Sequence, residues 1–504
     1  MDTRKEKKYL AIDLGADSGR GMVGVFDGSR VTLKEIKRFP THHITVAGHT
    51  FWDVLAIFRE IKDIIRTAVR EEQDIQGIGV TTWGVDYALL TRNDTLIGNP
   101  FHYRDGRTDG IMEEVFATVS QEEIFKATGI QFMELNTLFQ LYATKKEFPE
   151  LFTSAETLLF MPDLFNFWLT GKKYAEFTVA STSQLYDMTA TGQEQAPRGN
   201  WAFPLLERLG IPGRILPPVI APGTLLGPLS ESLRCELDVP EIPVYAVCCH
   251  DTASAVAAVP AGEGNWAYLS CGTWSLLGVE LLEPVIDEKS LRHHFTNEGG
   301  FAGSIRFLTN IMGLWVMQES RRTWQRQGKE YTYEQINRMA SERDPFQSFI
   351  NLADKVFLYP GDMPERIREF CRKTCQKVPQ EEGQTARIIL ESLAMEYRFM
   401  IDNLEETTGE KIETIHLVGG GSQNKFLAQC AASATRKVVI AGPVEATAIG
   451  NILIQALAKG DVLDIPQVRQ IVRNSFPLIV YQPAGTSVWE EKYYVYKQLK
   501  KMGG

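Results

Sequence analysis

The sequence predicts an α/β protein built from two related layered halves, and three observations carry that prediction. Residues 9–14 form an apolar run containing Asp13, then pass through Gly15, Ala16, Asp17, Ser18, Gly19 and Arg20 into Met22, Val23, Val25 and Phe26. That order reads as strand, tight turn, strand. Val54, Leu55, Phe58, Ile61, Ile65 and Val69 then recur at helical spacing before a short apolar stretch at 78–81. A helix between strands implies a layered sheet. The same logic restarts late in the chain, where the apolar run 244–248 stops at His250, Asp251 and Thr252. A further run at 266–270 turns through Cys271, Gly272 and Thr273 towards Ser275 and Leu276. A domain boundary is therefore expected near 245, with halves 1–244 and 245–504.

Between these landmarks the elements follow in order. Residues 101–186 are mixed and rich in aromatics, with a polar turn at 103–110 and an apolar helix within 159–171 closed by Gly171. Residues 190–200 and 211–228, rich in Gly and Pro, read as loops. Small residues after Thr252 (Ala253, Ser254, Ala255, Ala257, Ala258) predict a slender helix that another backbone can approach closely. An amphipathic helix is expected over 388–404, followed by a strand at 415–418, the triple glycine 419–421 and a helix from Ser422 or Gln423.

Composition narrows the class of function. At 504 residues, 44% hydrophobic and 23% charged, the chain has room for two or three well-buried cores. Sixty-three acidic residues against 53 basic ones give a net charge of −10, which disfavours nucleic acid as a partner. A polyanionic ligand must be met by local amides, helix ends or a metal ion. Seven cysteines without a C-x-x-C pair point to a reduced compartment, although Cys371 and Cys375 are spaced to face each other across one helical turn. No apolar stretch approaches the ~18 residues of a membrane span, so a soluble, cytoplasmic protein with no membrane partner is expected.

Several clusters carry chemistry, each beside a plainer reading. Asp13 at a strand end, next to glycine-freed amides, suits Mg²⁺ shared with phosphate and water, or is simply part of a hairpin. The Gly272–Thr273 turn offers amides and a hydroxyl to an anion, or is only a turn. The triple glycine lets backbone lie flat against a planar or anionic group, or is a flexible connection. Asp251 is either a reactive carboxylate at a strand end or a helix N-cap. Trp83, Gly84, Val85, Asp86, Arg104 and Asp105 suit a small sugar pocket, or a core tryptophan and a surface turn. His42, His43, His293 and His294 lack partners at metal-ligand spacing. The triple glycine is not the G-x-G-x-x-G pattern, and the chain has no Walker A motif, so the P-loop class is removed.

Taken together, D-L-G-A-D-S-G-R, T-W-G-V-D, H-D-T, Y-L-S-C-G-T-W-S, N-I-M-G-L-W and V-G-G-G-S-Q-N followed by A-G-P-V-E-A-T resemble the FGGY carbohydrate kinases, in the right order over almost the whole chain. Trp274 stands where most of that family has Ser, and with His250 it resembles one branch of it. The resemblance implies two ribonuclease-H-like domains of the actin and hexokinase type, an N-terminal sugar-binding one and a C-terminal nucleotide-binding one, with an ATP and sugar cleft between them. It implies phosphorylation of a ketose at its primary hydroxyl, with Asp251 as the base and Gly84, His250 and Thr252 as sugar contacts. Ala16, Asp17, Ser18, Gly19, Arg20, Thr273, Gln318 and Gly420 would contact ATP, and Asn310 the substrate side. Asp13 would meet Mg²⁺. Two other classes remain open: a sugar-independent ATPase like actin and Hsp70, which share the fold, and a non-catalytic sugar sensor.

Overall fold

The computed structural model describes residues 6–190 and 197–502, so the loop expected at 190–200 lies mostly outside the described residues. The chain divides into two compact units. The first comprises Met1–Pro260, Glu280–Phe307 and Ala446–Ser475, and the second Ala261–Val279, Leu308–Glu445 and Phe476–Gly504.

The first unit is organised on a six-stranded sheet built from β1 (Lys7–Leu14), β2 (Ser18–Phe26), β3 (Val31–Pro40), β4 (Ile75–Thr82), β5 (Thr224–Pro228) and β6 (Pro243–Ala246), in the order β5-β6-β4-β1-β2-β3. β1 pairs antiparallel with β2 and parallel with β4, and β4 is parallel to β6. Tyr9–Leu14 is buried throughout, as a central strand covered on both faces must be. On one face lies α1 (Val54–Glu72), started by an Asp53 side chain that accepts from the Ala56 amide at 3.0 Å. Its Ile57, Ile61, Ile64, Ile65 and Ala68 are buried. Gly21 is required beneath it, because a Cβ there would stand 2.3 Å from Ile64.

Three further helices of this unit come from distant parts of the sequence. α2 (Met161–Thr170) ends at Gly171 in the left-handed conformation expected of it. α3 (Asp251–Ala257) follows β6 and packs against α6 (Ala446–Ala458), a helix almost 200 residues later. α6 is held to the sheet by Asn451 Nδ2 donating to the Gly79 carbonyl at 3.1 Å and Gln455 Nε2 donating to Leu10 at 3.0 Å. The boundary expected at 245 therefore needs correction. Tyr245 is paired with Gly79 inside the first sheet, and the chain leaves the unit only after Pro260 and returns to it twice.

Most of a second sheet forms the other unit: β7 (Trp266–Cys271), β8 (Trp274–Leu281), β9 (Ile305–Met312), β10 (Thr414–Val418), β11 (Val438–Ala441) and β12 (Ile479–Tyr481), in the order β9-β8-β7-β10-β11-β12. As in the first unit, a hairpin's opening strand has a parallel partner on its far side, β10 beside β7. β11 continues that parallel run and β12 closes the edge antiparallel. The two sheets thus repeat one topology without repeating their letters, which is the pattern of ribonuclease-H-like domains. α4 (Glu382–Thr408) is longer than expected and buried on nearly all sides. After the triple glycine, Gly420–Gln423 forms a 3₁₀ turn, and the α-helix, α5 (Lys425–Thr435), starts only at Lys425, capped by Asn424. The start expected at Ser422 or Gln423 is thus displaced, because residues 420–423 are wound too tightly to begin an α-helix.

All seven cysteines are free. Cys371 is buried in its helix, while Cys375 lies exposed beyond the helix end in a left-handed conformation, so the two do not form the facing pair that their spacing allowed. Among the described residues no helix is long and apolar enough to cross a membrane.

Candidate active site

In the first unit the reactive side chains stand at the ends of β1, β4 and β6. The Asp13 turn is tight, the Gly15 amide donating to the Ser18 carbonyl at 3.0 Å, and Thr41 Oγ1 donates to Gly15 at 2.7 Å. Arg20 lies opposite Asp13 in the hairpin register, and its Nε and Nη2 donate to Asp13 Oδ2 at 2.9 and 2.7 Å. Thr81 Oγ1 makes a longer bond to Asp13 Oδ1, at 3.3 Å. Among the described residues no cluster of three or more His, Cys, Asp or Glu could hold a metal ion. Asp13 Oδ1 therefore fits Mg²⁺ only as one sparse carboxylate contact, with phosphate and water supplying the rest.

Asp251 is the first residue of α3, just beyond the end of β6. Thr252 donates to its Oδ1 twice, from the amide at 2.5 Å and from Oγ1 at 3.2 Å. The N-cap position belongs to His250, so the plain capping reading of Asp251 fails on geometry: its oxygen reaches the next amide and not those of the second or third residue. Burial, and then the charge of Asp13, push the Asp251 carboxyl up to about 7, against the Thr252 bonds and Arg306. His250 is held well below its ordinary value by burial and by the Arg306 charge. At neutral pH the site therefore pairs a carboxylate near its titration point with a neutral imidazole. Such a match of pKa to working pH suits a general base.

The Gly84 position presses directly on that imidazole, since a Cβ there would lie 3.2 Å from His250 Cδ2 and Nε2 and from Thr182 Oγ1. Its neighbour Val85 has φ +67°, a rare conformation for a β-branched residue. It is fixed by Thr137 Oγ1 donating to the Val85 carbonyl at 2.7 Å. Strain of this kind gathers where geometry is imposed. The two carboxylates of the pocket expected around Trp83 are engaged in the fold. Asp86 is fully buried and accepts from Trp52 Nε1 at 2.6 Å, Trp83 Nε1 at 2.9 Å and Gln140 Nε2 at 2.9 Å. Asp105 accepts from the Thr50 and Arg107 amides at 2.7 and 3.1 Å, and Arg104 lies across the Tyr103 ring. Carboxylates so engaged in holding the fold have little left for a ligand.

Several residues that build the site carry no local sequence signal. Glu176 accepts from the Cys249 amide at 3.0 Å, and Thr178 Oγ1 accepts from the His250 amide at 3.1 Å, fixing the strand end from below. Arg306 Nη2 forms an ion pair with Glu298 Oε2 at 3.0 Å and lies 3.3 Å from His250 Nδ1. They sit about 50 to 75 residues away in sequence, and only the fold brings them together.

In the second unit the Gly272–Thr273 turn, the helix bearing Gln318 and the triple glycine converge. The Leu314 and Trp315 amides donate to the Gly272 and Thr273 carbonyls at 3.0 and 3.1 Å, tying the turn to the start of the helix Trp315–Arg326. Gln318 lies one turn further on, and its buried Oε1 has no hydrogen-bond partner, as a ligand acceptor would. Gly419 and Gly421 pack on Cys271, where Cβ atoms would stand 3.2 Å from its carbonyl oxygen and 2.3 Å from its Sγ. Gly420 has open space above it. Asn310, in β9, is half-buried.

With the fold and these sites in place, the class is defined: the chain belongs to the FGGY family of carbohydrate kinases. Residues 8–258 match the N-terminal domain of that family and residues 267–459 its C-terminal domain. Among individual proteins it is 42% identical to a rhamnulokinase of Bacteroides thetaiotaomicron, over 98% of this chain and 99% of the relative. It is 40% identical to a rhamnulokinase of Bacillus subtilis, over 94% and 95%. A ligand-bound xylulose kinase from Lactobacillus acidophilus shares the fold, with a TM-score of 0.80 at 17% identity covering 98% of each chain. Glycerol kinase of Plasmodium falciparum with ADP shares it too, with a TM-score of 0.75 at 15% identity over 99% of this chain and 98% of that one.

Proposed function

We propose that this carbohydrate kinase transfers the γ-phosphoryl group of ATP to the primary C1 hydroxyl of L-rhamnulose, giving L-rhamnulose 1-phosphate and ADP, a step of L-rhamnose catabolism. The substrate rests on full-length similarity to rhamnulokinases at about 40% identity. The observation that carries the mechanism is the Asp251 carboxyl, raised to about 7 at a strand end beside a neutral imidazole.

In this reading Asp251 accepts the C1 hydroxyl proton and aims the oxygen in line with the γ-phosphorus. Phosphoryl transfer passes through a loose transition state, so position and charge stabilisation do most of the catalysis. Gly84, His250 and Thr252 hold the sugar, and Asn310 lies on its side of the reaction. Ala16, Asp17, Ser18, Gly19 and Arg20, together with Thr273, Gln318 and Gly420, hold ATP. The amides of both turns and the acceptor at Gln318 Oε1 suit phosphate and a hydrogen-bond donor respectively. Mg²⁺, when bound, neutralises charge spreading over the phosphates, and Asp13 is the residue that would meet it.

The test is kcat/KM for ADP release with Mg-ATP over a panel of ketoses, with the product identified by ³¹P NMR. L-rhamnulose is expected to give the highest value and a 1-phosphate. A higher value with L-fuculose or L-xylulose would keep the chemistry and change the substrate. ATP hydrolysis indifferent to every ketose would overturn the proposal in favour of an ATPase of the actin and Hsp70 kind.

A further inference from the structure

His250 has two ring nitrogens, and what faces each decides which one carries the proton. Nδ1 lies 3.3 Å from Nη2 of Arg306. A guanidinium only donates, so this contact is a hydrogen bond only if Nδ1 accepts. A proton on Nδ1 would instead oppose the Arg306 Nη2 donor and reach towards Glu298 Oε2 at 3.8 Å, too far for a hydrogen bond. The proton therefore sits on Nε2. That nitrogen lies 3.6 Å from Asp251 Oδ1, also beyond hydrogen-bonding distance, so the donor is not spent on the base.

Arg306 is itself placed with care. It is fully buried, its Nε donates to the Gly299 carbonyl at 2.9 Å, and Glu298 balances its charge. Its Nη1 is buried without a hydrogen-bond partner. A buried ion pair with an unsatisfied donor is weak evidence for stability. Its place beside His250 points to another use.

We propose that the Glu298–Arg306 pair fixes His250 as the Nε2–H tautomer, so that the ring donates to a substrate oxygen next to the hydroxyl that Asp251 deprotonates. This rests on the sugar-kinase reading above. Glu298 and Arg306 are positioning residues, since they act through His250. The arrangement sets an acceptor and a donor side by side, which recognises a substrate bearing two neighbouring oxygens. The C1 hydroxyl of a ketose, beside its C2 oxygen, meets that requirement.

The experiment is a long-range ¹⁵N–¹H spectrum of the full-length protein with ¹⁵N-labelled histidine, the His250 signals among the eight histidines being assigned by their loss in His250→Gln. Wild type is expected to show the Nε2–H pattern at neutral pH. The double variant Glu298→Gln with Arg306→Met removes both charges together, which avoids a lone buried ion. Its His250 is expected to become a mixture of tautomers. KM for the ketose should rise roughly tenfold or more, the scale of one lost hydrogen bond, with KM for ATP unchanged. An Nδ1–H or doubly protonated ring in the wild type would overturn the proposal without any variant. An unchanged tautomer and ketose KM in a folded double variant would do the same. A wild type that phosphorylates no ketose would overturn the kinase reading instead, a result distinct from the wrong tautomer in an active enzyme.

Discussion

Asp251 concentrates the chemistry and part of the cost of the fold. Its pKa of about 7 lies above the ~3.9 of an unfolded aspartate. Between those values the folded state binds more protons than the unfolded state, so stability from this group falls as pH rises from about 4 to about 7 and is level above. With 31% of the side chain still open, the penalty is smaller than the full shift implies. Asp251→Asn should therefore melt at a higher temperature than wild type at pH 8, with the difference gone near pH 4, as read by thermal unfolding. A lower melting temperature at pH 8 would contradict the assigned environment. In the wild type, kcat/KM for the sugar should climb with pH and level off above an apparent pKa near 7, because only the carboxylate accepts a proton. The motif H-D-T made this residue legible in sequence. Its pKa was not, because it rests first on burial, which only the fold supplies, and then on Asp13, which comes from a strand more than 200 positions away.

Among the elements, α3 depends most on something distant. Ser254 of α3 meets Gly450 of α6 so closely that a Cβ on Gly450 would lie 1.9 Å from the Ser254 carbonyl oxygen. Backbone cannot yield as a flexible side chain does. Gly450→Ala should cost roughly 1–3 kcal/mol, as overpacking does, and should displace the helix that begins at Asp251. The expected result is a lower melting temperature together with a lower kcat; normal turnover in Gly450→Ala would show that α3 is positioned by something else. The sequence already made α3 readable as a slender helix from its alanines, and the hairpins at 15–19 and 271–273 from their glycines. Which helix it packs against was not readable, since small residues announce a close approach without naming the partner. Asp86 misled for a similar reason: it looks available until the indoles of Trp52 and Trp83 are seen donating to it.

For the whole molecule, the repeated hairpin and parallel partner make the two-unit plan visible in sequence, but the division of the chain is not. Local patterns mark where strands begin, whereas the return of residues 446–475 to the first unit is a long-range pairing with no local signature. A fragment ending at residue 260 lacks Asn451 and Gln455, which bond to Gly79 and Leu10 of the central strands. It also leaves one face of the sheet uncovered. Such a fragment should show no cooperative thermal transition and should aggregate; a sharp melt would contradict this division. The net charge of −10 has the opposite sign to what would attract ATP over distance, so nucleotide affinity must come from the turns themselves.

The most direct test of the central claim is sugar-dependent ADP release by Asp251→Asn beside wild type, with Mg-ATP and L-rhamnulose. Loss of at least ~10²-fold in kcat, the usual consequence of removing a general base, with ATP binding retained, is the result expected. Near-normal turnover in that variant would contradict it.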